Sequence, residues 1–339
     1  MTRVSVKSDD PLYKYAISFM ESKWGTKKGI FPGCQPISIE REHFRILSNN
    51  DYVVCEKTDG TRYMMLAFMY ENRKVCIFLN RALEMFVCPL NFRRPIYEGT
   101  ILEGELYDNV FMIYDCLITC GEVIGQQNFL ERLEHCEKTT KKMMVLKTDP
   151  IFLKVKTFHL HTEFNKFMDV YLPTVKQEMD GLVFTPINEP VRTGTHETMF
   201  KWKPRNKNTI DFKVKKGPTV ETPGCAPGPP VWRLYIQDKG KLIHESQIPI
   251  DRMPEYRWLR ENDIVECMYV TWEKGPLWWK PLKKRTDKTF PNSRRTFYRT
   301  LVTIKEDIQM KEFLDCRPKC NDYLLYVIRL IFLNYRHLV

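Results

Sequence analysis

Glu56-Lys57-Thr58-Asp59-Gly60-Thr61-Arg62 stands between two runs rich in β-branched, aromatic and other apolar residues, YVVCE around Val53 and RYMMLAFM around Met65. Taken alone, the heptapeptide reads two ways. Asp59-Gly60 can close a hairpin that leaves Lys57 solvated, or the lysine, flanked by Asp59, Gly60 and Arg62, can belong to a functional motif. Three segments further along the chain change the balance: LEGEL (Leu102–Leu106), EMDGLVF (Glu178–Phe184) and MFKWKP (Met199–Pro204). Each sets charged residues in or beside an apolar run.

Outward from this stretch, the pattern predicts mixed α and β structure. Pro11 to Ser22 has helical apolar spacing, and GIFPGCQPIS (Gly29 to Ser38) breaks it with turn residues. KVCIFL, ILEGEL, FMIYD, IFLKVK, GLVFT, MFKWK and TIDFKV read as strands, with helices over Phe129–Lys142 and Thr162–Glu178. Gly217 to Pro230 holds five prolines and three glycines, a composition that predicts a long loop. After it, VWRLYI, DIVECMYV and a Trp-rich run predict a small barrel or sheet, with a helix around Lys305 to Leu314. No internal repeat is visible.

The chain has 339 residues and a formal net charge of +11. Its 43% hydrophobic and 28% charged content is that of a globular protein, which argues against wholesale disorder or a bundle of membrane spans. The charge suggests polyanionic partners. Between Lys274 and Arg299 basic residues alternate with Trp278, Trp279, Phe290, Phe297 and Tyr298, a mixture suited to phosphate and base contacts. Eleven cysteines, an odd number with no secretory leader, predict reduced thiols and an intracellular protein. YLLYVIRLIFL (Tyr323–Leu333) is short for a bilayer and carries Arg329, so a buried or partner-docking helix is expected there and no membrane association.

With FPGCQPISIER, KTDGTRYMML, FLNRA, LEGEL, FMIYD, EMDGLVF, MFKWKP and RTDKTFPN in this order, the chain resembles the covalent nucleotidyltransferases, and among them the RNA guanylyltransferases of mRNA capping, in their metazoan and large-DNA-virus forms. The resemblance covers about Phe31 to Leu314. It implies an α+β architecture: a ligase-type, ATP-grasp-like nucleotidyltransferase domain with antiparallel sheets over 1–207, and an oligonucleotide-binding-fold (OB-fold) β-barrel over 208–304. A helix at about 305–315 would return to the first domain, followed by an apolar extension, 316–339, of no assigned role.

The resemblance implies a reaction in which Lys57 attacks the α-phosphorus of GTP, pyrophosphate leaves, and GMP is held as a phosphoramidate until an RNA 5′-diphosphate displaces it. Lysine must be uncharged to attack, and Lys201, Lys203 and Arg62 are the expected neighbours that favour the free amine and offset triphosphate charge. By the same resemblance Arg62 and Arg81 contact ribose or phosphate, and Asp59 positions the lysine. Glu105 meets the ribose, Tyr114 stacks on guanine, and Lys156 donates to the guanine carbonyl, disfavouring adenine. Asp180 lies near the α-phosphate with Mg²⁺ or Mn²⁺, with Glu105 as a second candidate ligand. Arg285, Asp287 and Lys288 form the motif that closes over the triphosphate.

Expected partners are a separate RNA triphosphatase, a cap methyltransferase, and RNA polymerase II or a viral RNA polymerase, in a nucleus or a cytoplasmic virus factory. Two other readings stay open: an ATP-dependent polynucleotide ligase using the same lysine chemistry, and a catalytically silent RNA-binding or docking module of the same fold. Neither a phosphate-binding G-x-x-x-x-G-K-[ST] loop nor a G-x-G-x-x-G is present, and His135-Cys136 lacks the glycine and arginine of a cysteine phosphatase loop. His159, His161 and His196 complete no metal pattern, and Trp202, facing opposite to Lys201 and Lys203, is expected in a core.

Overall fold

A computed structural model describes residues 3–144, 148–218, 228–270, 278–286 and 288–318. The chain divides into two compact units. One takes in Met1–Ile37 and Glu42–Trp202 and resumes at Lys311; the other comprises Ser38–Arg41 and Lys203–Met310. Asp287, Trp272 and the apolar run from Tyr323 lie outside the described residues. Among the described residues no helix is long and apolar enough to cross a membrane.

The larger unit is built on two sheets. In the first, hydrogen-bonded neighbours follow the order Val4–Val6, Met85–Val87, Arg73–Asn80, Thr61–Tyr70, Thr100–Tyr107, Val110–Thr119 and Phe152–Val155, with Glu122–Val123 pairing beside Val110–Thr119. The strand Thr61–Tyr70 explains why RYMMLAFM reads as an almost unbroken apolar run. Met64, Leu66 and Phe68 enter one core cluster with Ala16, Phe19 and Met20 of the helix Pro11–Trp24, while Met65 and Ala67 enter another on the opposite face. A strand covered on both faces has no polar side to show. The helix begins at Asp10, whose side chain accepts from the Leu12 amide, with Pro11 in the first turn.

The second sheet has the order His159–Leu160, Tyr52–Thr58, Met179–Pro186, Gly194–Trp202 and Cys34–Ser38. Behind it, Val53 and Cys55 pack with Phe129, Leu130 and Leu133 of the helix Phe129–Thr140. That helix starts with a reciprocal capping box between Asn128 and Glu131. One pairing departs from the expected antiparallel arrangement: Phe152–Val155 runs parallel to Val110–Ile113. The expected helix over Thr162–Glu178 is found over His161–Thr174 as short 3₁₀, α and π turns in succession.

In the smaller unit five antiparallel strands are ordered Lys241–Gln247, Pro230–Asp238, Thr209–Pro218, Ile264–Val270 and Trp278–Lys284. The two edge strands, Lys241–Gln247 and Trp278–Lys284, come within 8 Å of each other, so the sheet curls back on itself as a partly open OB-fold does. Phe212, Trp232, Trp278, Trp279 and Phe297 fill the interior, so Trp278 and Trp279 serve the core and are not free to stack on RNA. Gly217 and Pro218, expected in a loop, extend a strand and face Val231 and Pro230. The expected helix around Lys305–Leu314 is two elements: an α-helix Arg294–Glu306 that ends at Asp307 in a left-handed conformation, then a 3₁₀ turn Met310–Leu314. The left-handed cap breaks helical continuity and divides what apolar spacing alone joins.

Candidate active site

Asp59-Gly60 does not close a hairpin. Tyr52–Thr58 pairs with Met179–Pro186 in one sheet, whereas Thr61–Tyr70 pairs with Thr100–Tyr107 in the other, so the two residues carry the chain from sheet to sheet. The crossing is tight. A Cβ on Gly60 would lie 2.6 Å from Cγ of Glu105, so only glycine lets the backbone pass this close to the acid. Lys57 is therefore the penultimate residue of one sheet's strand where it meets the other sheet.

Asp180 reaches Lys57 through an irregularity. The register between Met179–Pro186 and Tyr52–Thr58 shifts between Met179 and Gly181, leaving Asp180 out of the ladder beside Gly181, the partner of Lys57. Its Oδ2 lies 3.0 Å from the Lys57 Nζ, with both side chains partly exposed. Asp59, expected to position the lysine, is exposed in the crossing, and the acid that pairs with Lys57 is Asp180.

Three further pairs surround this one. Thr58 Oγ1 donates to Glu105 Oε2 at 2.6 Å. Lys156 Nζ lies 3.0 Å from Glu56 Oε1, both nearly buried, and 3.4 Å from Thr58 Oγ1. Burial opposes the charge of Lys156, but the Cys55 sulfur and the Glu56 and Glu105 carboxylates outweigh it and hold the ammonium above the ordinary lysine range. Arg62 forms an ion pair with Glu103, donates to the Cys34 carbonyl, and lies over the Phe31 ring at 5.0 Å. Burial raises the Glu103 carboxyl although Arg62 pulls the other way, and the Tyr114 hydroxyl donates to Glu103 Oε1 at 3.1 Å. Tyr114 is thereby fixed by its hydroxyl, with its ring packed against the cluster that contains Val53 and Cys55.

Glu103 and Glu56 join the site without a role expected from the sequence. The signal for Glu103 is present there, since residues 103 and 105 alternate in LEGEL and so share a face of the strand. Arg81 is exposed and donates to Gln35 Oε1 at 2.8 Å. Lys201 is half-buried on the strand Gly194–Trp202, and Trp202 beside it is buried edge-on to Phe313, as core. Lys203 belongs to the smaller unit.

In the smaller unit the basic motif is held by one carboxylate. Arg285 Nη1 lies 3.0 and 3.3 Å from the two oxygens of buried Asp211, Lys288 pairs with the same group, and Glu266 Oε2 stands 3.5 Å from Arg285. Asn292, from the FPN that follows, accepts from the Asp211 amide through Oδ1 at 2.7 Å and donates its own amide to the Asp211 carbonyl at 2.8 Å. Asp211 is a third acid without an expected role, although a carboxylate inside TIDFKV is the kind of buried charge that demands a partner.

Of the histidines without assigned chemistry, His161 sits in the core. His161 is 0% exposed, its Nε2 lies 2.9 Å from the Phe313 carbonyl, and burial lowers its pKa to about 4. Every cysteine among the described residues is free.

Two family models match the chain: "mRNA capping enzyme, catalytic domain" over residues 4–205 and "mRNA capping enzyme, C-terminal domain" over 207–314. The mRNA-capping enzyme of Danio rerio is 29% identical over 311 residues, covering 86% of this chain and 50% of that protein. The chain thus spans half the length of that relative. The mRNA-capping enzyme subunit alpha of Schizosaccharomyces pombe is 26% identical, covering 87% of this chain and 81% of its own. That of Eremothecium gossypii is 30% identical, covering 85% and 78%. Among solved structures, mycobacterial DNA ligase D complexed with ATP and MES is similar with TM-score 0.42 and 11% identity, over 78% of this chain and 97% of that one.

Proposed function

The chain belongs to the mRNA capping enzyme family, and from that premise we propose that it transfers GMP from GTP, by way of Lys57, to the 5′-diphosphate end of RNA, forming the GpppN cap. The observation that carries this reading is the Lys57–Asp180 pair at 3.0 Å, set where the two sheets cross, with Thr58, next in the chain, bonded to Glu105 and Lys156.

Each bond change has a residue in place. The Lys57 ammonium gives up a proton, for which the Asp180 carboxylate is the acceptor within reach. The amine then attacks the α-phosphorus; a P–N bond forms, the P–O bond to pyrophosphate breaks, and pyrophosphate leaves. An oxygen of the RNA 5′-diphosphate next attacks the same phosphorus, the P–N bond breaks, and the lysine recovers its proton. Glu105, held by Thr58, is placed to accept from a ribose hydroxyl, and Arg285 and Lys288 can exchange Asp211 for phosphate oxygens.

The donor chemistry suits a divalent ion. Asp180 and Glu105 offer hard carboxylate oxygens that would suit Mg²⁺ or Mn²⁺ together with substrate phosphates and water. Bound there, it would neutralise phosphate charge. This chemistry also requires a triphosphatase to supply the RNA diphosphate and a methyltransferase to consume the cap. Both belong to the proposal, together with RNA polymerase and a nuclear or virus-factory setting.

Incubation with α-labelled GTP and Mg²⁺, followed by peptide mass spectrometry, tests the reading. A GMP adduct on Lys57 that RNA 5′-diphosphate discharges supports it. Labelling by ATP instead would make the protein a polynucleotide ligase, and an adduct that RNA does not discharge would leave the transfer step without support.

A further inference from the structure

The Glu56 carboxylate is only half paired. The residue is 5% exposed; Oε1 is engaged by Lys156, while Oε2 is buried without a hydrogen-bond partner. A buried carboxylate oxygen left unmatched is costly, and a ligand that brings a donor recovers the cost. Glu56 also borders a cavity of about 150 Å³, with Lys156, Tyr107, Met112, Val155 and Tyr171. A cavity of roughly this volume holds a six-membered aromatic ring. The Tyr171 hydroxyl faces the same carboxylate.

The place matters as much as the chemistry. Glu56 and Thr58 alternate along their strand and share its face, and Thr58 bonds to both Lys156 and Glu105. The Glu56–Lys156 pair is thus one hydrogen bond from the acid assigned to ribose, on the strand that carries the nucleophile.

The geometry points to Glu56 and Lys156 reading the Watson–Crick edge of guanine together. Lys156 donates to O6, and the Glu56 carboxylate, through its open Oε2, accepts from N1–H and the 2-amino group. This rests on the guanylyltransferase reading and deepens it by assigning Glu56 as a specificity-determining residue. Adenine is opposed twice: its 6-amino group meets the ammonium, donor against donor, and its N1 lone pair meets the carboxylate, acceptor against acceptor.

Adduct formation measured with nucleotide analogues tests the assignment. Inosine triphosphate lacks the 2-amino group and 1-methylguanosine triphosphate lacks N1–H; each should label the wild-type protein with kcat/KM about tenfold or more below GTP, the loss expected for one hydrogen bond to a charged group. Glu56→Gln, nearly isosteric, should narrow the GTP-to-inosine-triphosphate ratio to about threefold or less, because its amide nitrogen opposes one of the two base donors. Glu56→Asp keeps the charge beside Lys156 but withdraws the oxygens by one methylene, and should narrow the same ratio; it is the second variant should Glu56→Gln not fold. A wild-type ratio retained in the folded variant, or equal labelling of the wild type by all three nucleotides, overturns the role of Glu56. Absence of any adduct in the wild type is a different result, which overturns the guanylyltransferase reading and this assignment with it.

Discussion

The two units hold their functional cations in different ways. In the larger one each cation has its own acid on another strand: Lys57 with Asp180, Lys156 with Glu56, Arg62 with Glu103. In the smaller one Arg285 and Lys288 converge on the same acid, Asp211, and Arg285 also pairs with Glu266. One-to-one pairing, within a sheet for Lys57 and Arg62, fixes positions before substrate arrives, which is what in-line attack would require. In the smaller unit two cations converge on one buried carboxylate, a contact that the oxygens of an anion can replace. In the proposed reaction the pairs of the larger unit would preorganise the chemistry, and the cations of the smaller would exchange their acids for phosphate.

The largest effect that would break this contrast is at the nucleophile. Lys57→Met should abolish the GMP adduct, a loss of roughly 10⁴-fold or more, read by labelled GTP incorporation. Adduct formed at full rate would show that another residue carries the chemistry.

Next comes the cost of unpairing. Arg62→Met strands Glu103, which is 2% exposed, and should destabilise the protein by about 3–5 kcal/mol in urea unfolding. Arg285→Met leaves Asp211 its bond to Lys288 and its tie to Asn292, and should cost about 1–2 kcal/mol while slowing adduct formation roughly 10²-fold. Equal stability losses in the two variants would erase the distinction between one-to-one and shared pairing.

The third prediction concerns pH. His161 has a pKa lowered from 6.5 to about 4 by burial, with its Nε2–H donating to the Phe313 carbonyl and Nδ1 left without a partner. Below pH 6.5 the unfolded chain takes up a proton that the folded chain refuses, so stability present above that pH falls progressively toward pH 4. The full loss is about 3 kcal/mol. His161→Gln should flatten this part of the stability profile, measured by denaturant midpoints between pH 7 and about 4; an unchanged slope would assign the acid sensitivity elsewhere.

The smallest effect belongs to an exposed pair, Lys138 with Glu134 one helical turn away at 2.8 Å. Lys138→Ala should change stability by less than about 0.5 kcal/mol, a baseline for the buried pairs in the same assay.

Much of this arrangement is legible in the order of residues alone. Strand periodicity locates most strands, and the order of KTDGTR, LEGEL, EMDGLVF, MFKWKP and RTDKTFPN points to a family that the matches over 4–205 and 207–314 establish. What periodicity cannot supply is which sheet a strand joins. Asp59-Gly60 has the composition of a hairpin and is a sheet-to-sheet crossing, because Tyr52–Thr58 finds its partners more than a hundred residues downstream. The helix near the end departs from its expected span for a local reason, the left-handed Asp307 that separates Arg294–Glu306 from Met310–Leu314. The roles of Glu56, Glu103 and Asp211 stay hidden in the sequence for a common cause: an acid within an apolar run declares that it needs a partner but not which one.

The sequence by itself determined the family, since the order of its motifs names it, and it singled out Lys57 and the charged residues on which the proposed chemistry rests, side-chain alternation being a local property of the chain. Only the tertiary structure decided the pairings: that Asp180 pairs with Lys57, that Glu103 takes Arg62, and that Glu56 keeps one oxygen open beside Lys156. The physical reason is that hydrogen bonds and ion pairs act over a few ångströms, and which residues come that close is set by strand register and by the crossing at Gly60, neither of which is a property of any short stretch of chain.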